Sequence, residues 1–405
     1  MTSRIELLLL STLLGTTTFA PAQNGLKMDN EAARVSGLQP RIEVPHHDTL
    51  APKTGLTIEA WITYDETTLP TGLGARYPSI IRKGIGSFGN GENHTYLLRV
   101  DAVTTSARLV NFALRTWDTT QNKGVVTRAT YSFAAGEFKN WTHLAATFDG
   151  SDMRIFVNGV EKAKVATAGA EMYDETKGKV AIGTGGLRDY YETWHGEIDE
   201  LRLWPLARTG AEIQSTMNLR LAGVPGLCST WNLDGAIPST TTAPDSSGNN
   251  HGNGIALTTA NSGGQYATNS LTLTSASLGA TGFGAGTAGC SGTPAAGLSG
   301  LAKVGSSALS ITCVNSGVGG PSFLWLGVGA LSTPIPLLGA NLWVDSSKPG
   351  LLFAIAANAS GLVQIPLAIP ASTPTNVSMH GQFAFAETSC NVPLFTSQGL
   401  TITTQ

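Results

Sequence analysis

NWTHLAATFDGSDMRIFVNGVEK, residues 140–162, reads as two antiparallel strands and two turns. Leu144, Ala146 and Phe148 share one face of the first run, which stops at Asp149-Gly150. Met153, Ile155 and Val157 share one face of the second, which stops at Asn158-Gly159. Side chains alternate along a strand, so each run offers one apolar face to a core. Asn-Gly adopts the left-handed backbone that a two-residue type I′ hairpin turn requires. Upstream, LTIEAWITY (56–64) repeats the pattern, with Leu56, Ile58, Ala60 and Ile62 on one face. KVAIGTG and EIDELRLW read as further strands, and helical spacing is confined to ARTGAEIQSTM, 207–217. Many short strands with regular turns predict an all-β fold built from sandwiches.

The 405 residues suffice for two domains. A formal net charge of −3, with 13% charged residues, argues against nucleic acid or an anionic membrane held by bulk charge. At the start, Arg4, the apolar run Leu7–Leu14 and Ala20-Pro21-Ala22 match the three parts of a secretory signal peptide, residues 1–22. The uncharged stretch Phe323–Val344 is broken by Pro334 and Pro336, so two buried strands and a turn are expected rather than a membrane span. No transmembrane anchor is expected.

Charge and cysteine divide the chain. Of 53 charged residues, 47 lie in the first 220 positions, and all four cysteines (Cys228, Cys290, Cys313, Cys390) lie beyond them. The expected organisation is a first sandwich over 23–220, a return segment and linker over 221–268, and a second, smaller sandwich over 269–405 with six or seven strands. In an exported chain four cysteines predict two disulfides, whose pairing the sequence leaves open.

Seven stretches carry a family resemblance: NGLKMDN (24–30), RIEVPHHDTLAPKTGLTIEAWI (41–62), SIIRKG (79–84), TYLLRV (95–100), residues 140–162, VAIGTG (180–185) and WHGEIDELRLWPLART (194–209). Together they resemble the laminin G-like jelly roll of the concanavalin A-like lectin/glucanase superfamily. Residues 226–257 resemble a piece that flanks such domains, and the last third resembles a C-terminal sandwich of exported bacterial proteins.

Glucanases of that superfamily carry Glu-x-Asp-x-Glu on one strand. GEIDELRLW (196–204) supplies Glu197 and Asp199, with Glu200 one position early. Plain alternation puts 197, 199 and 201 on one face and Glu200 on the other. Retaining hydrolysis needs two carboxylates about 5–5.5 Å apart on one side of the sugar, so no catalytic residue is assigned. The laminin G-like pattern, Gly-x-Ile-Asp-Glu followed by apolar-basic alternation, fits Gly196 to Arg202 instead.

No cofactor is required by any motif. Some members of the superfamily hold a structural Ca²⁺, for which Asp199, Asp245 and Asn249 are the candidate ligands, with Ser246 and Asn250 nearby. The competing account makes Asp245 the head of an Asx turn, and it is preferred because no oxygen-rich repeat of the EF-hand form is present. For a sugar, the candidates are loop aromatics beside polar groups: Trp117, Arg188, Tyr190 and Tyr191. Trp194 is expected in the core, and His143 as a satisfied sheet histidine with no acid beside it. The sequence thus predicts an exported, non-catalytic protein whose first sandwich binds a glycan or an extracellular protein. A structural cell-surface or matrix spacer is the alternative, and a glycoside hydrolase the least favoured.

Overall fold

The computed structural model describes residues 24–38, 40–66, 77–84, 94–102, 108–174, 177–185, 192–221, 224–234, 242–247, 250–255, 257, 264–290, 292–358, 361–386 and 393–405. The expected signal peptide, Arg188, Tyr190, Tyr191, Asn249 and Cys390 lie outside them.

The fold is all-β. Two eight-stranded sheets enclose the first core. One, here the motif sheet, runs edge to edge through Val160–Ala166, Asp152–Val157, Thr142–Phe148, Leu56–Ile62, Gly196–Trp204, Asn24–Met28 and Gly264–Thr268, and Ser229–Trp231 also pairs with Gly196–Trp204. The facing sheet runs through Thr242–Ala243, Gly252–Ile255, Arg41–Val44, Val180–Ile182, Ser79–Lys83, Tyr96–Ala102, Arg108–Asp118 and Lys123–Ser132. Every apolar face read from 56–62 and 140–157 is in the core between them: Leu56, Ile58, Ala60, Ile62, Leu144, Ala146, Phe148, Met153, Ile155 and Val157. Burying each of the larger of these side chains contributes roughly 1.5–3 kcal/mol. Asn158 and Gly159 have φ of 49° and 73°, as a type I′ turn requires. Trp194 is fully buried and donates through Nε1 to the Thr63 carbonyl at 3.0 Å.

The stretch between 229 and 268 returns to the first sandwich. Its strands pair with Gly196–Trp204, here the motif strand, with Arg41–Val44 and with Asn24–Met28, and Trp231, Ala243, Leu257 and Tyr266 enter the first core. A second core gathers Leu298, Ile311, Leu324, Phe383, Phe385, Phe395, Leu400 and Ile402, together with Trp204, Leu206, Leu221 and Val224 from the end of the motif strand and just beyond. One of its sheets runs Ala280–Phe283, Gly399–Thr403, Ser378–Phe385, Ser322–Gly327, Gly350–Ile355; the other is Ala295–Leu298, Ser310–Val314, Val363–Pro366.

Several expectations are corrected here. The structure shows twelve strands after residue 269 among the described residues, not six or seven. Phe323–Val344 holds three strands, and Ala330–Leu337 is mostly exposed, with a register shift between Ala330 and Ile335 that accommodates Pro334. Helix Gly210–Thr216 forms where expected, capped by Thr209 and Glu212 in a reciprocal capping box; a second helix, Asn30–Ser36, had no periodic signal. The expectation of two disulfides fails because Cys228 and Cys313 are free thiols buried in different cores. Burial pushes both thiols up, in Cys228 with help from Asp245. Cys228 moreover belongs to the first core, not the second, and Cys290 carries no free thiol. Among the described residues no helix is long and apolar enough to cross a membrane.

Candidate functional site

The carboxylates of GEIDELRLW do not sit as plain alternation predicts. Ile198 pairs with Ile62, Asp199 with Trp61, and then Arg202 with Glu59, a register shift of one residue. Glu200 takes a left-handed φ of 48°, so Glu200 and Leu201 together oppose Ala60. This is a β-bulge. Ile198, Leu201 and Leu203 consequently all face the first core, while Glu200 and Arg202 share the other side, where their side chains pair at 3.0 Å. The expectation that Leu201 would share a face with Asp199, and Glu200 with Ile198, is therefore wrong.

The bulge changes the reason for doubting catalysis. Burial, then the Glu200 charge, pushes Asp199 up to about 7, and burial raises Glu200 against the pull of Arg202 and Arg220. A raised carboxyl suits a general acid, but both groups are 2% exposed or less. Asp199 accepts from the Glu200 N–H at 2.7 Å and from Asn269 Nδ2 at 2.8 Å. Residues 216–219 lie over this face, where Trp61 Nε1 donates to Met217 O at 2.7 Å and Arg202 donates to Thr216 O and Leu219 O. Asp199 and Glu200 are thus committed to bonds within the fold. Gly196 has a structural reason too: its φ is 142°, and a Cβ there would stand 2.1 Å from the Thr63 carbonyl oxygen.

Next to them lies a buried ionic junction. Glu59 is fully buried and accepts from Trp204 Nε1 at 2.8 Å and from Arg208 Nη1 at 2.9 and 2.8 Å. Burial pushes its carboxyl up, but Arg208, Arg202, His143 and Trp204 outweigh burial and hold it below the ordinary carboxylate range. His143 does have an acid beside it, since Nε2 lies 4.0 Å from Glu59 Oε2. Its Nδ1 is unpartnered, and burial lowers the ring to about 4; the expectation of a satisfied histidine without an acid is corrected. Arg208 also donates to Ser299 O at 2.9 Å, Glu212 O at 2.7 Å and Thr216 Oγ1 at 2.6 Å, and lies over the Trp204 ring. Ser299 belongs to the second sandwich, so this one guanidinium bonds the two.

The metal candidates are held separately. Asp245 Oδ1 accepts from the N–H groups of Thr230 and Ser247, and Oδ2 from the N–H of Asn250 at 2.9 Å. The bond to Ser247, two residues on, is that of an Asx turn, and the carboxylate ties the loop to the strand Ser229–Trp231. Among the described residues no group of three His, Cys, Asp or Glu side chains is placed to hold a metal ion.

The face of the facing sheet that points away from the core is of another kind. Register sets Ala181, Arg82, Leu97, Ala113 and Arg128 in one row across five strands. The row beside it holds Arg99, Asn111 and Thr130, and Arg115 follows two residues beyond Ala113 on the same face. Leu97, Ala113 and Ala181 are buried yet belong to neither core, and form an apolar floor. Arg82 Nη1 donates to Gly185 O at 2.7 Å and stands 3.7 Å from Glu192; Arg99 pairs with Asp101 at 2.5 Å and lies 4.6 Å over the Tyr77 ring. Trp117 shares the face by alternation. It is half-buried and packs on Tyr173 at 4.8 Å, making an aromatic wall beside Arg115.

His94 sits among these arginines, 3% exposed, with neither ring nitrogen partnered. Burial first, then Arg82, Arg128, Arg99 and Arg115, lowers it to about 3. Of the predicted ligand residues, Trp117 is thus brought to this face. The sequence reasoning missed Arg82, Arg99, Arg115, Arg128 and His94.

Residues 36–214 match the family model described as the concanavalin A-like lectin/glucanases superfamily, laminin G type. Over 80 residues the chain is 34% identical to mouse pappalysin-1 and 36% identical to the human protein. That match covers 20% and 19% of this chain, and the chain spans 5% of each relative. Among solved structures, a Bacteroides ovatus protein described as carbohydrate-binding is 20% identical with TM-score 0.43, over 62% of this chain and 60% of that one. Domains LG4-5 of the mouse laminin α1 chain are 9% identical with TM-score 0.31, over 93% and 81%. Superpositions of this extent carry nothing about a ligand.

Proposed function

We propose that this chain is an exported, non-catalytic binding protein that takes a glycan or an extracellular protein on the outer face of the facing sheet. The observation that supports this most is the set of four arginines on adjacent strands around a buried, unpartnered histidine, with Tyr77 and the Trp117–Tyr173 pair beside them. Apolar floor, aromatic walls and a few convergent polar groups are what a ligand site is made of. Export rests on residues 1–22, and the likeness of residues 269–405 to sandwiches of exported bacterial proteins belongs to the same proposal. Catalysis is disfavoured because Asp199 and Glu200 are buried and committed to the backbone and to arginines.

A glycan array probed with the full chain, and with the double variant Trp117→Ala, Arg128→Gln, tests this. Specific signals should be lost in the variant while its unfolding curve stays close to that of the parent. Specific signals retained in full would move the site off this face. Reducing sugar released from a β-glucan, and abolished by Glu197→Gln, would make the protein an enzyme instead.

A further inference from the structure

Resting on that assignment of the binding face, we propose that its ligand is anionic: a glycan bearing carboxylate or sulfate groups, gripped by Arg82, Arg99, Arg115 and Arg128 around His94. Guanidinium groups donate and never accept, so a ligand here must bring acceptors. Planar, forked acceptors suit arginine best, and carboxylate and sulfate supply them with charge. Within the cluster, Asp101 stands 2.5 Å from Arg99 and Glu192 3.7 Å from Arg82.

His94 reports the local field. After burial, the four arginines are what push its ring toward the neutral form. Neutral imidazole keeps one N–H donor and one acceptor nitrogen, and both are buried without a partner, as is Arg82 Nε. Buried donors are costly to leave unmet, so a bound oxyanion has groups waiting for it. The chain as a whole carries −3. Affinity for an anion must therefore come from a local cluster, not from net charge. Arg128 is exposed and Arg115 half-exposed, which leaves the cluster open on the side of strand Lys123–Ser132.

Affinity electrophoresis of the full chain through gels holding polygalacturonate, dextran sulfate or plain dextran distinguishes the possibilities. Both anionic polymers, or one of them, should retard the protein, and plain dextran should not; which one does so separates carboxylate from sulfate. Arg128→Gln, on an exposed side chain, should weaken retardation about tenfold, as expected for a charged hydrogen bond. Lys139→Gln, which removes an equal charge from a distant turn, should leave it unchanged. Arg115→Gln serves as a second variant, and unfolding curves identify any that fails to fold.

Retardation by dextran that Arg128→Gln abolishes would keep the face as the binding site and overturn the anionic ligand. Anionic retardation that survives both arginine variants, or falls equally with Lys139→Gln, would overturn the face itself. No retardation in any gel would overturn the ligand class.

Discussion

Replacing Arg208 with alanine removes every donor of a guanidinium that serves five acceptor atoms, each on a residue that is at most 3% exposed. Glu59 would keep Trp204 Nε1 and Arg202, the latter at 3.4 Å, and would remain inside the protein with most of its compensation gone. Breaking a buried pair by removing one partner costs about 3–5 kcal/mol, more than the pair's net worth, because the other charge stays desolvated. The Ser299 bond between the sandwiches is lost as well. Urea unfolding of the full chain should therefore show a loss of about 3–5 kcal/mol, with Arg208→Lys also destabilised because a point-like ammonium cannot span those acceptors. The double variant Glu59→Met, Arg208→Met should be more stable than Arg208→Ala alone, since it removes both charges. A loss below about 1 kcal/mol in Arg208→Ala would refute the reasoning, because it would place Glu59 in the range of exposed pairs. A double variant no better than the single would refute it too.

Other outcomes are also expected. Asp199 has a folded-state pKa of about 7, above its ordinary 3.8, so protonation of this group stabilises the fold fully below pH 3.8 and that stabilisation is lost as pH rises through 7. Asp199→Asn should accordingly gain stability relative to the parent as pH rises from about 3.8 to about 7, by up to about 1.4 kcal/mol per pH unit, and the gain should level off above pH 7; a difference independent of pH would count against it. In denaturant without reductant, two cysteines, Cys228 and Cys313, should alkylate, and neither readily in the native protein, because both thiols are buried and raised. This leaves a proposed single bridge between Cys290 and Cys390, which peptide mapping would find or exclude. The edge strand Gly350–Ile355 exposes Leu351, Leu352 and Phe353 at 63%, 61% and 38%. Leu352→Lys should suppress aggregation on heating, seen by light scattering, with stability changed by less than about 0.5 kcal/mol.

The strands were legible because burial on one face leaves a period of two, and that period survives in 56–62 and 140–157 without help from distant residues. The hairpin at Asn158-Gly159 was legible because its φ values are a local demand. The arginine face carried a signal that went unread. Arg82, Arg99, Arg115 and Arg128 each follow one or two apolar or β-forming residues, on four strands that are successive neighbours in both sequence and space. In a meander, sequence neighbours become sheet neighbours, so arginines at corresponding polar positions must converge. His94 could not be found this way, since it precedes its strand. Nor could the junction, because Glu59 and Arg208 are 149 positions apart.

GEIDELRLW resembles a hydrolase strand because a bulge and a catalytic dyad both recruit acids. Without the extra residue, alternation would turn Leu201 and Leu203 away from the core that Ile198 enters, and would move Arg202 and Trp204 away from Glu59. A left-handed non-glycine residue costs of the order of 1–3 kcal/mol. Glu200 bears that strain, and its neighbours hold it there: Asp199 accepts its N–H, while Arg202 and Arg220 hold its carboxylate at 3.0 and 3.4 Å. Acid, acid and arginine are thus the local requirement for shifting one strand by one residue. Their reward is the Glu59 junction, which needs Arg202 and Trp204 on the same side as Arg208. Two acids side by side on a strand therefore identify a catalytic pair only after the register between them has been read.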